Sequence, residues 1–116
     1  MIDDTYNIID SEIRCLCDAI NSKFNGKCIT ISSCSGHGKD PFHIICQFYD
    51  IDSITTLLNV INSNDVFRDN LILSSDKQIN RNKEMRYPIL NLHSVKAGKE
   101  AYAIAKKLAC LINNKV

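Results

Sequence analysis

The sequence predicts a single α+β domain over residues 1–116, in the order αββαββα, with a four-stranded antiparallel sheet and its helices packed on one face. Three observations carry that expectation. Apolar residues recur at helical spacing in three separate stretches. Short runs rich in Ile, Leu and aromatics lie between them and read as strands. The two halves also share one pattern of strand, polar loop, strand and helix. Ile31-Ser32-Ser33 answers Leu73-Ser74-Ser75, and Phe42-His43-Ile44-Ile45 answers Tyr87-Pro88-Ile89-Leu90. The match suits a ββα pseudo-repeat, and convergent patterning accounts for it equally well.

Residues 5–25 read as the first helix, with Ile9, Ile13, Leu16, Cys17, Ile20 and Phe24 on one stripe. Asp3, Asp4 or Thr5 suits its cap, and Gly26 suits a left-handed C-terminal end. Residues 27–34 read as a strand that turns Ile29 and Ile31 one way and Cys28, Thr30 and Ser32 the other. Residues 42–49 form a second strand, close enough to pair with the first as a hairpin. Asp50 and Asp52 are cap candidates for a helix over 53–62, which Asn62-Ser63-Asn64-Asp65 stops.

Residues 71–75 are a short third strand, and the polar run 76–84 reads as a flexible hairpin tip. A fourth strand over 85–93 contains Pro88, which places it at an edge or bulges it there. The last helix starts at or just after Ser94, with Ala97, Ala101, Ile104, Ala105, Leu108, Leu111 and Ile112 inward. A sheet with helices on one face leaves the other open, and a homo-oligomer is one way to cover it.

Composition excludes several classes of function. No apolar run is long enough for a membrane span. The acidic start Met1-Ile2-Asp3-Asp4 is unlike a secretory signal, so the expected location is the cytoplasm. A net charge of +1 disfavours a strongly electrostatic nucleic-acid binder. In that setting the six cysteines read as reduced thiols, mostly buried as small hydrophobes.

The run Ser32-Ser33-Cys34-Ser35-Gly36-His37-Gly38-Lys39-Asp40-Pro41 stands out as the candidate site. Its glycines free the backbone to approach a ligand, and Lys39, His37 and the Ser32, Ser33 and Ser35 hydroxyls add donors. Walker spacing is absent, and GxGxxG before a helix is absent too. Cys34 and His37, or His43 and Cys46, have zinc-like spacing. On a strand, however, His43 and Cys46 point to opposite faces. The metal arrangement left open is a Cys34/His37 pair with a distant third ligand. Cys34 beside His37 also has the makings of a nucleophile, although a packed thiol is the plainer reading.

The preferred expectation is a non-catalytic domain that binds a small anionic, nucleotide-like ligand at this loop. Arg81, Arg86 and Lys96 are expected to complete the site, and His93, read as ending its strand, to line a cleft against the last helix. No cofactor is assigned. A protein-interaction or inhibitor module is a further alternative, with the basic 77–86 stretch as its contact.

Ser32-Ser33-Cys34-Ser35-Gly36 after an apolar strand also resembles the Ser-Ser-Cys-Ser-Gly-Arg signature of the wybutosine-synthesis tRNA methyltransferase family. The resemblance spans roughly residues 13–62, and His37 stands where that family has arginine. It implies S-adenosylmethionine-dependent modification of tRNA. The Cys-Ser-Gly-His run is similar as well to small uncharacterised bacterial and phage proteins, which implies no particular chemistry.

Overall fold

The structure is a computed structural model that describes residues 10–75 and 87–115. Its elements are α1 (Ser11–Lys23), β1 (Cys28–Cys34), a short 3-10 turn (Gly36–Gly38), β2 (Pro41–Phe48), α2 (Ile51–Asn62), α3 (Asp65–Asn70), β3 (Leu71–Ser75), β4 (Ile89–Ala97) and α4 (Gly98–Lys115). The strands form one antiparallel sheet in the order β1-β2-β4-β3. The expected α+β class and four-stranded sheet are present. The two expected strand pairs are present as well, and the order sets β2 and β4 innermost.

Burial alternates along β2, as a half-covered strand requires. Phe42, Ile44, Cys46 and Phe48 are fully buried, while His43, Ile45 and Gln47 are partly exposed. The buried row meets Ile13, Leu16, Cys17 and Ile20 of α1 and Ala101, Ile104, Ala105, Leu108 and Ile112 of α4. Leu57 and Ile61 of α2 and Phe67 of α3 join the same core. Small alanines on α4 let α1 approach it closely. The opposite sheet face bears Ile72 and Val95, both exposed, together with His43 and His93.

Several boundaries differ from the sequence expectation, each for a local reason. Helix α1 does not run through Asp10, whose ψ of 135° is extended. Its expected cap residues Asp3, Asp4 and Thr5 lie outside the described residues. Asn25 and Gly26 both adopt left-handed φ and end the helix as anticipated. Asp50 caps α2, its carboxylate accepting from the Asp52 amide at 2.7 Å. After α2 the chain forms one more helical piece, α3, because Asn64 caps it through the Val66 amide at 2.8 Å. A local side-chain cap restarts the helix where the polar run was expected only to stop one.

Strand β4 begins after Pro88 instead of running through it. Proline has no N–H for the ladder, although its carbonyl still accepts from Phe48 at 3.0 Å. The strand then continues to Ala97 and lies between β2 and β3, so it is central and not an edge. Gly98, at φ 73°, turns the chain into α4. The polar run 76–84 and the proposed contact stretch 77–86 lie outside the described residues.

One irregularity matters for the site. The β1–β2 register shifts between Thr30 and Ser32, a one-residue bulge. Beyond it Ser33 pairs with buried Ile44, and Cys34 pairs with His43. Ser33 therefore faces the helices, where its hydroxyl meets the Cys17 thiol. Strict alternation from buried Cys28 would have turned Ser32 and Cys34 inward. The extra residue turns them out.

Candidate functional site

The loop after β1 is held in a left-handed turn. Gly36, His37 and Gly38 have φ of 78°, 55° and 80°. Glycine adopts this region freely, whereas a residue with a Cβ pays roughly 1–2 kcal/mol for it. His37 therefore carries backbone strain, and it is flanked by the residues that tolerate the turn. Gly36 is required on a second count, since a Cβ there would lie 2.9 Å from the Pro41 carbonyl oxygen.

Every amide from Ser35 to Asp40 already has an acceptor within the protein. The Ser35 amide donates to Asp10 Oδ2 at 2.8 Å, and the Gly36 amide to Cys34 Sγ at 3.5 Å. His37 donates to Ser35 Oγ at 3.1 Å, and Gly38 to the Tyr102 hydroxyl at 2.9 Å. Lys39 and Asp40 both donate to the Gly36 carbonyl, at 3.1 and 3.0 Å. Tyr102 Oη also donates to the Ser35 carbonyl at 3.3 Å, so α4 braces the turn from both ends. The glycines shape the loop, and the amides they orient are spent on it.

The turn brings His37 back over Cys34, with Nε2 3.8 Å from Sγ. Asp10, just ahead of α1, completes a cluster in which a carboxylate oxygen, Cys34 Sγ and a ring nitrogen of His37 all lie within 4.8 Å of one another. Asp10 and Cys34 are half-buried, and His37 is exposed. Asp10 stands at the helix N-cap, yet its side chain makes no cap bond there and reaches Ser35 instead. The Ser35 amide and hydroxyl, followed by the charge of His37, hold its carboxyl below the ordinary carboxylate range.

The other expected site residues are scattered. Ser32 is exposed on β1, Ser33 packs inward on Cys17, and buried Ser35 serves the turn. Lys39 is exposed. Lys96 pairs with Glu100 at 3.2 Å. His93 does not end its strand or line a cleft against α4. The longer β4 places it mid-strand on the face opposite the helices, across from His43, with Nε2 3.3 Å from Ser74 Oγ. Arg81 and Arg86 lie outside the described residues.

Sequence reasoning missed Asp10 and Tyr102. Asp10 falls inside the helix expected over 5–25, and nothing local ties it to Ser35, 25 residues away. Tyr102 gives no sequence signal beyond being an aromatic with a polar tip.

No family model matches this chain, and neither a search of curated proteins nor one of solved structures finds a match.

Proposed function

We propose that this protein is a small non-catalytic binding domain whose ligand seat is the cluster of Asp10, Cys34 and His37, and that the ligand there is a cation or a molecule carrying one. The observation that carries this reading is the convergence of three different donor atoms within 4.8 Å on a braced loop. A bare anion suits the seat less well. The backbone amides that an anion would use are already engaged, and the Ser35 amide is turned to the chain's own Asp10 carboxylate. Strain at His37 supports the same assignment, because a left-handed histidine is retained where its side chain is needed in place.

The test is an amide NMR titration of the full chain. One series adds divalent cations, and the other adds a nucleotide panel in the presence of chelator. The expected result is that Ser35–Gly38 amides move with a cation and not with nucleotide alone. Nucleotide alone moving them restores the anion expectation and overturns this reading, as does the absence of any response to cations.

A further inference from the structure

Resting on that reading, we propose that the seat is a thiophilic metal site of the Zn2+ class, with Asp10, Cys34 and His37 as its protein ligands and a fourth position left to an exchangeable water or small anion. A sulfur, an imidazole nitrogen and a carboxylate oxygen form a donor set that selects Zn2+ or a similar ion over Mg2+ and Ca2+, which prefer all-oxygen shells. The spacing agrees. Zinc–sulfur and zinc–nitrogen bonds of about 2.3 and 2.0–2.1 Å at a tetrahedral angle set S and N about 3.5 Å apart. Cys34 Sγ and His37 Nε2 are 3.8 Å apart, so the pair closes on an ion with little movement.

The surroundings also fit a metal-bound thiolate. The Gly36 amide points at Cys34 Sγ, a hydrogen bond that supports negative charge on sulfur. The Ser35 amide fixes Asp10 through Oδ2, which holds the carboxylate beside Cys34 and His37. On binding, the Cys34 S–H bond breaks, an S–metal bond forms and the proton passes to solvent, so uptake releases acid.

Among the described residues, His43 is the one further metal-ligating side chain that the sheet register sets directly across from Cys34. It stands outside the cluster. Among the described residues no fourth side chain joins the three, and the proposal gives that position to water or to a small anion that enters by way of the ion and not through the loop amides.

The experiment loads the purified chain with Co2+, which takes zinc-type ligands and reports them optically. The expected spectrum has a sulfur-to-cobalt charge-transfer band and four-coordinate d–d bands. Adding azide or inorganic phosphate is expected to shift the d–d bands. Cys34→Ser is expected to remove the charge-transfer band. His37→Gln is expected to weaken Zn2+ binding about 100-fold or more, and His43→Gln to leave it unchanged. Binding of Mg2+ or Ca2+ without a charge-transfer band for Co2+ overturns this assignment and leaves the cation reading standing. Absence of binding by any cation overturns both. Loss with His43→Gln equal to that with His37→Gln overturns the open position in favour of a closed four-ligand site. Because the wild-type spectrum carries the sulfur signature itself, poor folding of a variant does not decide the outcome.

Discussion

Cysteines in two regions of this protein meet opposite fates. Cys17, Cys28 and Cys46 lie fully buried between the sheet and α1. Burial pushes the Cys17 thiol up to about 11, against a small opposing effect from the Ser33 hydroxyl. Cys46 is held well above the ordinary thiol value, first by its hydrogen bond with Cys28 and then by burial. Cys34, on the same strand as Cys28, sits instead at the rim beside His37 and Asp10. The bulge after Thr30 separates the two fates. Without that extra residue, alternation would carry Cys34 inward with Cys28. Residue type alone does not decide where a thiol lies here; one inserted residue and the loop beyond it do.

The largest expected effect is on thiol reactivity. A disulfide reagent in excess, read by mass mapping, is expected to modify Cys34 and exposed Cys110 first. The buried three are reached only through unfolding, so their rates are expected to be at least ~1,000-fold lower in the native protein. Comparable rates at Cys34 and Cys46 would break the comparison outright.

Alkaline stability sharpens the core side of it. The folded value of Cys17 lies above the unfolded one, so the folded state favours the neutral thiol. That contribution is complete below the unfolded value of about 8.5 and is lost as pH rises towards about 11. The loss on passing to about 11 amounts to about 2–3 kcal/mol. Denaturant midpoints measured from neutral pH to about pH 11 are expected to fall less steeply for Cys17→Ala than for wild type. Equal slopes would show that burial of this thiol does not couple to folding.

The rim side is tested by its glycines. Gly36→Ala meets both the left-handed φ and the Pro41 carbonyl at 2.9 Å, so a loss of about 2–3 kcal/mol is expected in denaturant unfolding. Gly38→Ala meets only the φ of 80°, with nothing within 4 Å of the added carbon, and about 1 kcal/mol is expected. If the two cost the same, the close approach to Pro41 does not constrain the turn.

These contrasts also mark what was legible in the sequence. Helical stripes and alternating strands were legible because burial imposes a period, and Ile13, Leu16, Phe42, Ile44 and Leu108 are indeed buried. The two glycines marked the loop as a place of unusual backbone freedom, and Gly36 and Gly38 do adopt left-handed φ. The bulge was not legible, because Ile31 looks the same whether paired or extruded, and the strict alternation expected along the strand breaks there. The long-range partners Asp10 and Tyr102 were hidden for a different reason. They join the loop through tertiary placement of α1 and α4, which no local window contains. The candidate chemistry shifted accordingly: the glycine loop alone suggests an anion, and the loop with Asp10 suggests a cation.

The smallest expected effect isolates that tertiary brace. Tyr102→Phe keeps the ring in place and removes the hydroxyl that accepts from Gly38 and donates to Ser35. Gly38 is exposed, so water takes over part of the lost bonding, and about 1 kcal/mol or less is expected in global stability. Local order is expected to change more than stability. Exchange of the Gly38 amide is expected to quicken, and Cys34 is expected to label faster while Cys17, Cys28 and Cys46 do not. A selective change of this kind places the brace on the rim cluster alone. Equal acceleration at the buried thiols would mean that Tyr102 holds α4 to the sheet as a whole, and the seat would then owe its shape to the core instead of to one hydroxyl.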